Sequence, residues 1–182
     1  MTQASADSPI VPLKNRALAA FLAWLAPGLG HLYQGRTAKG LLFMICILGT
    51  FVFGMCIGGG RVVYASFRSD DFRLPYLCQI GVGLPALPAL VQADRVGRHQ
   101  APLFGGRMAP PSLRDPDELS QWQYELGAGF DLGTVYTMVA GLLNVLAIYD
   151  ALDGPARHGS EDDEFEDDEP KKADADPASS AA

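Results

Sequence analysis

The amino-acid sequence predicts an all-α membrane protein with about four transmembrane helices, a short interfacial helix before the last of them, and a disordered acidic C-terminal tail. Three observations support this fold class. Four stretches of about 18 to 21 residues contain no Lys, Arg, Asp or Glu, and this is the length that an α-helix needs to cross a bilayer. The stretches show no two-residue alternation, so a β-barrel is not indicated. After the last stretch the composition becomes polar and acidic.

The net charge of the chain resides in its last residues. The 182 residues have a formal net charge of −7, and residues 156–182 alone account for it, because the preceding residues contain equal numbers of acidic and basic side chains. This segment has too few apolar side chains to offset the entropy of ordering, so we expect a disordered acidic tail there and disorder in residues 1–13. Residues 14–155 are expected to form one helical membrane domain, without the basic stripe of a nucleic-acid-binding protein.

The first apolar run, at approximately residues 17–35, is predicted to be an uncleaved but interrupted span. Lys14 and Arg16 precede it as they would in a signal peptide, yet no cleavage motif of small residues follows. Proline and glycine predict a kink or a break within the run. The interrupting residues are Pro27, Gly28 and Gly30.

The second run, at approximately residues 40–60, is the surest span because it is apolar on every helical face, unlike a surface helix of a soluble domain. The third run, at approximately residues 74–93, is expected to be kinked or broken by proline. Its prolines are Pro75, Pro85 and Pro88. The fourth run, at approximately residues 132–150, is nearly as apolar as the second and contains one deep amide, Asn144.

The connection before the last run, residues 94–131, is expected to contain a short amphipathic helix at approximately residues 116–126. Asp115 is a suitable N-cap and Pro116 a suitable first helical residue. Three apolar side chains then recur at helical spacing: Leu119, Trp122 and Leu126. Two positions suit this helix equally well, the membrane surface and the surface of its own loop.

A glycine-rich motif lies between the first two runs, in the sequence Pro27-Gly28-Leu29-Gly30-His31-Leu32-Tyr33-Gln34-Gly35-Arg36. Glycine permits a tight turn here, and an aromatic residue followed by basic ones suits the depth of lipid headgroups. The motif resembles the hairpin of the two-transmembrane-helix domain (TM-two type), whose members carry glycines and a tyrosine in the turn between their helices. The matching residues are Gly28, Gly30, Tyr33 and Gly35.

This resemblance covers approximately residues 14–60 and implies an uncharacterised bacterial multi-span membrane protein with no known activity. The chain lacks the Asp-Arg-Phe triplet that animal members carry after the first span, so the resemblance implies no receptor-like coupling role. The residues expected to form the hairpin turn are Pro27, Gly28, Gly30, His31, Tyr33 and Gly35.

Three residues inside the runs are predicted to mediate helix packing. Gly54 and Gly58 have the spacing that lets two helices approach closely, and the alternative is that glycine is simply common in membrane helices. Asn144 is expected to hydrogen-bond to a neighbouring helix, with a substrate or ion contact as the alternative. His31 is a candidate proton or metal site only if an acidic side chain faces it, and otherwise we expect a headgroup contact. Asp150, at the end of the last run, is expected to be a solvated carboxylate.

The sequence contains no recognisable catalytic constellation, cofactor motif or metal site. A GxGxxG motif would need glycine where Tyr33 stands, and the three cysteines have no metal-ligand or disulfide spacing. We therefore expect a noncatalytic membrane scaffold or accessory subunit without a cofactor. The alternative is a small transporter or channel component, which the proline breaks favour and the lack of ionisable residues inside the runs disfavours.

The predicted location is a cell membrane, by the resemblance a bacterial inner membrane, with a multi-pass topology. Both termini are expected in the cytoplasm, because Lys14 and Arg16 precede the first span. The expected partners are the lipid bilayer and a protein that binds the acidic tail or the loop of residues 94–131, and no nucleic acid is expected. The sequence does not predict an oligomeric state.

Overall fold

The computed structural model describes residues 15–68, 71–112 and 117–153. The predicted disordered segments, residues 1–13 and the acidic tail 156–182, lie outside these ranges. The α-helices of the described residues are α1 (Arg16–Leu25), α2 (Leu29–Tyr33), α3 (Thr37–Ile57), α4 (Leu74–Gln79), α5 (Pro88–Gly97), α6 (Asp117–Leu126) and α7 (Ala128–Asp153). A two-residue antiparallel pair, β1 (Phe67–Arg68) and β2 (Asp71–Phe72), is the exception to an otherwise helical fold.

Two of these helices are long and apolar enough to cross a membrane, judged by length and composition. They are α3, with 21 residues, and α7, with 26 residues, and they lie on the second and fourth predicted runs. Only 22% of the most apolar part of α3 and 39% of that of α7 is buried inside the protein. The all-helical class is therefore confirmed, whereas four transmembrane spans are not.

The first predicted run forms a short helical hairpin instead of one helix. Helix α1 ends at Leu25, and α2 returns along α1 after a left-handed residue at Gly28, where φ is +84°. The two arms touch through their backbones, because a Cβ atom on Gly30 would overlap the carbonyl oxygen of Ala19. A helix of 10 residues is about 15 Å long, which is half the thickness of a bilayer core.

The third predicted run also forms a hairpin. Helix α4 continues into a 3₁₀ turn (Ile80–Val82), the chain reverses at Gly83, and a second 3₁₀ turn (Leu84–Ala86) leads into α5. The three prolines of the run lie in the first positions of separate helical segments: Pro75, Pro85 and Pro88. The two arms lie side by side, since the Tyr76 hydroxyl donates a hydrogen bond of 2.9 Å to the Ala86 carbonyl.

The two hairpins approach α7 from its opposite ends. The first hairpin has its open end beside Ala151, whose carbonyl accepts a hydrogen bond from Gln34. The second begins near the other end of α7, where Arg73 lies 3.4 Å from the Thr134 hydroxyl. Because α1 and α4 both stop near the middle of α7, the first and third runs each reach only half of its length.

The hairpin tips meet at Asn144. Its side-chain amide donates to the carbonyl oxygens of Ala23 and Gly81, at 3.1 and 2.9 Å. The tips are also in direct backbone contact, because a Cβ atom on Gly83 would overlap the Trp24 carbonyl oxygen. The first and third runs are therefore two half-length hairpins joined tip to tip beside α7.

The helix predicted at approximately residues 116–126 is present as α6. Its Trp122 is buried and makes an edge-on contact with Tyr64 at a centroid distance of 6.3 Å. Leu119 and Leu126 pack against the same core. The apolar face of α6 thus packs on the protein itself, and Tyr124 is its most exposed large side chain, at 92%.

Helices α3 and α7 cross in backbone contact. A Cβ atom on Gly54 would lie 2.9 Å from the Gly133 carbonyl oxygen, and one on Gly133 would lie 2.9 Å from the Gly58 nitrogen. Helices that lack side chains at the crossing can approach this closely. Gly54 therefore lies on the face of α3 that contacts α7, and Gly58, the residue that follows the helix, lies beside Gly133.

We predict that Gly54→Ala lowers the Tm of the detergent-solubilised protein, because the added methyl group would lie too close to Gly133. Overpacking of this kind costs about 1–3 kcal/mol. The matched control is Gly49→Ala in the same helix, where no heavy atom lies within 4 Å of the new Cβ. That substitution should leave the Tm unchanged or raise it, since alanine favours a helix by about 1 kcal/mol over glycine. Equal Tm values for the two variants would contradict the close crossing.

Candidate functional site

A cluster of charged side chains joins the first hairpin to the C-terminal end of α7. One carboxylate, that of Asp150, is the common partner of three basic side chains. His31 Nε2 lies 3.0 Å from its Oδ2, Lys39 Nζ lies 2.7 Å from its Oδ1, and Arg36 lies 3.4 Å from Oδ2. The cluster therefore connects α2, the beginning of α3 and the end of α7.

The members of this cluster differ in burial. His31 is fully buried and its ring contacts Phe43 at a centroid distance of 4.9 Å, whereas Asp150, Arg36 and Lys39 are partly open to the surroundings. Isolated exposed ion pairs stabilise proteins by less than about 1 kcal/mol, but several charges that share a partner form a network with a larger effect. We infer that the cluster fixes the open end of the first hairpin.

Burial lowers the pKa of the His31 imidazole from its usual 6.5. The Asp150 carboxylate opposes this shift, while the positive charges of Arg36 and Lys39 reinforce it. His31 lies outside the two long helices. The fold favours the neutral form of this imidazole, and the other members of the cluster are two basic side chains and one carboxylate.

A second polar site lies where the hairpin tips meet. Asn144 lies there, and two turns before it on α7 the Thr137 hydroxyl accepts a hydrogen bond of 2.8 Å from the side-chain amide of Gln79, which also donates to the Val62 carbonyl at 3.2 Å. All three of these side chains are fully buried. The inner face of α7 thus carries polar groups at its middle as well as at its end.

One known protein family matches a stretch of the chain that includes both sites. The model of DUF6677, a family of unknown function, matches residues 18–164. The chain belongs to this family. No curated protein and no solved structure matches it. The DUF6677 match carries no assigned activity and does not extend to a TM-two domain, so the hairpin resemblance stays a prediction.

In this DUF6677 chain, the predicted hairpin-turn residues lie in and after the first hairpin. Gly28 packs on α3, because a Cβ atom there would overlap the Gly40 carbonyl oxygen. Gly35 has a φ of +83° and open space around it, so its conformation rather than its packing favours glycine. Pro27 is buried at the tip, and Tyr33 is half-buried at the end of α2.

The sequence analysis allowed a proton or metal role for His31 only if an acidic side chain faces it. The structure places the Asp150 carboxylate in that position. Asp150, expected to be solvated, instead contacts three basic side chains. The sequence offered no signal for this pairing, because more than one hundred residues separate the partners. Among the residues that the structure describes, no group of three or more His, Cys, Asp or Glu side chains could hold a metal ion.

The buried amide of Gln92 is a further residue that sequence reasoning did not single out. It lies in α5, where its Nε2 donates to the carbonyls of Leu103 and Arg107 and its Oε1 accepts from the Leu103 backbone. Every polar atom of this amide is therefore satisfied. It anchors a loop beside a cavity of about 420 Å³ whose lining includes His99, Glu118 and Trp122.

Acidification should destabilise this DUF6677 protein through His31. The fold lowers the pKa of His31 below 6.5, so it favours the neutral imidazole. The resulting stability is fully present above pH 6.5 and is lost as the pH falls from there towards the folded-state pKa. We predict a lower Tm at pH 5.5 than at pH 7.5, measured in detergent at constant ionic strength.

The matched control for this pH effect is His31→Gln, which keeps a polar side chain without a titration in this range. Its Tm should fall less than that of the unsubstituted protein over the same pH interval. An equal fall in both proteins would show that groups other than His31 cause the acid sensitivity.

Proposed function

We propose that this chain is an integral membrane protein that acts as a noncatalytic scaffold or accessory subunit. The observation that carries the proposal is the apolar outer surface of α3 and α7. Helix α3 has no charged side chain after Lys39, and its exposed large side chains are Leu41, Leu42, Ile45, Val52 and Phe53. Exposure of so much apolar surface to water is unfavourable, at about 25 cal/mol per Å².

The distribution of side chains around α7 supports the same proposal. The buried face of α7 carries small and polar residues, among them Gly133, Thr137 and Asn144. Its exposed face carries large aliphatic ones: Leu132, Val135, Val139, Leu142, Leu143 and Leu146. A surface helix of a water-soluble protein shows the reverse arrangement, whereas membrane helices bury small and polar residues at their contacts.

In this proposal α3 and α7 cross the membrane and the two hairpins enter it from opposite sides. Irregular backbone at membrane depth is tolerated where protein covers it, and here the tips cover each other and contact α7. Residues 35–39 and the end of α7 then share one side, while residues 59–67 and 98–112 share the other. Four complete spans would instead place residues 36–39 and 94–131 on the same side.

The close packing at the tips favours a scaffold. Three backbone contacts there leave no room for a side chain: those of Gly83 on Trp24, Gly141 on Cys78 and Gly81 on Gly141. The second candidate, a transporter or channel component, is favoured by one specific observation, the two half-length helices that end near the middle of α7. Secondary transporters build their substrate sites from such discontinuous helices.

The topology can be tested by cysteine labelling. In a background with alanine at positions 46, 56 and 78, single substitutions Thr37→Cys, Gln100→Cys and Asp153→Cys introduce exposed thiols. We expect a membrane-impermeant maleimide to label Thr37→Cys and Asp153→Cys from one side of sealed vesicles and Gln100→Cys from the other. Labelling of Thr37→Cys and Gln100→Cys from the same side would favour four spans. A protein that labels fully in all three variants and washes off the vesicles would contradict membrane insertion.

The scaffold role predicts a partner that co-purifies in a fixed ratio from gently solubilised native membranes. A comparison of the full chain with one truncated after Pro155 locates the contact. A partner lost on truncation binds the acidic tail, and one retained binds the helices or the loop of residues 94–131. Absence of any partner, together with cation flux in proteoliposomes of the purified protein, would replace the scaffold by the transport function.

A further inference from the structure

The outer face of α5 changes from apolar to charged within one turn. Val91 is 51% exposed, whereas the exposed side chains of the following turn, Asp94 and Arg98, form an ion pair of 3.0 Å. A helix that leaves a bilayer changes in this way at the boundary between the hydrocarbon and the headgroups. In the proposed topology this boundary lies at the level of Gln92.

The chain after α5 doubles back to the same level. Gln92 lies five residues before the last residue of α5, which is about 8 Å along the helix axis. Its side chain nevertheless hydrogen-bonds to the backbone of Leu103 and of Arg107. Residues 98–108, which we call the return loop, therefore leave the end of α5 and turn back towards the bilayer.

The backbone of the return loop is strained and firmly held. His99, Phe104 and Met108 have φ angles of +57°, +53° and +60°, a region that residues with a Cβ atom rarely adopt. The Met108 nitrogen donates to the carbonyl of Gly60, just beyond the end of α3, while Gln92 holds the middle of the loop. Such strain persists only where the surrounding structure fixes it, so the return loop is a rigid element.

The tip of the return loop is apolar and exposed. Phe104 is 69% exposed, and Leu103 beside it is exposed as well. Two basic side chains flank this tip: Arg95, which donates to the Ala101 carbonyl, and Arg107. Neither forms an ion pair among the residues that the structure describes. An apolar tip between unpaired basic residues is complementary to acyl chains beneath a layer of anionic headgroups.

We propose that the return loop is an interfacial anchor whose tip, Leu103 and Phe104, inserts into the adjacent leaflet of the bilayer. Arg95 and Arg107 then lie at the depth of the lipid phosphates. Lipid is the occupant rather than a protein partner, because the tip lies level with Gln92, where the outer face of α5 is still apolar at Val91. The rigid backbone favours insertion, since little conformational freedom is lost when the tip enters the leaflet.

This inference rests on the proposed function, because it requires α3 and α7 to cross a bilayer. It adds a contact that neither long helix makes, on the side of the membrane that holds residues 59–67 and 98–112. A label on α3 reports membrane insertion separately from the loop, so the two proposals can fail separately.

The test measures the depth of nitroxide spin labels on the full chain in vesicles of phosphatidylcholine and phosphatidylglycerol. In the background with alanine at positions 46, 56 and 78, the label is attached to Phe104→Cys at the tip. The matched controls are Gln100→Cys, in the same loop near the end of α5, and Tyr124→Cys, on the exposed face of α6. Oxygen concentrates in hydrocarbon and a nickel chelate stays in water. We expect the ratio of oxygen to nickel collisions to be several-fold higher at position 104 than at positions 100 and 124.

A fourth label, on Ile45→Cys at the exposed face of α3, separates the two proposals. A high oxygen ratio at position 45 with a low one at position 104 overturns the anchor, leaves the membrane insertion of α3 standing and frees the tip for a protein partner. Low ratios at both positions contradict membrane insertion and the anchor together. If Phe104→Cys does not fold, Leu103→Cys replaces it and is judged by the same comparison.

Discussion

The hydrogen bonds from the Asn144 amide to the tips of both hairpins are the interaction on which the rest of the architecture depends. At each tip the helix ends inside the protein, so buried backbone carbonyl groups there lack the partners that a continuing helix would provide. Burying such a group without a hydrogen-bond donor is unfavourable. One side chain supplies two donors, to Ala23 and to Gly81. Both hairpins are thereby tied to α7 at the same level.

Glycine makes this arrangement sterically possible. The tips contact each other through Gly83, the second hairpin contacts α7 through Gly141, and α3 contacts α7 through Gly54 and Gly133. At each of these places a carbonyl oxygen occupies the space that a Cβ atom would need. For helices placed in lipid, as proposed for α3 and α7, close backbone packing is a principal source of association. In that setting glycines take the role that large apolar residues have in a soluble core.

The two long helices could be predicted from the sequence because length and uniform apolarity are local properties. The breaks in the other two runs were also predictable from Pro27, Gly28 and the three prolines of the third run. The direction of the chain after each break was not, because it depends on a contact between Ala23 and Asn144, which are 121 residues apart. For the same reason, the sequence showed that His31 needed an acidic partner but did not identify Asp150. Gln79 escaped notice because a single polar residue in a proline-broken run has no periodic signal.

The long separation between Asn144 and its partners has a consequence for biosynthesis. The first hairpin leaves the ribosome more than one hundred residues before the side chains that hold its tip and its open end, since Asn144 and Asp150 both belong to the last helix. Its native contacts with α7 therefore form only after α7 has been synthesised, although its neighbour α3 follows it at once. Addition of α7 becomes the step that completes the domain, and a chain that stops before α7 leaves His31 and Gln34 of the first hairpin without the partners that α7 supplies.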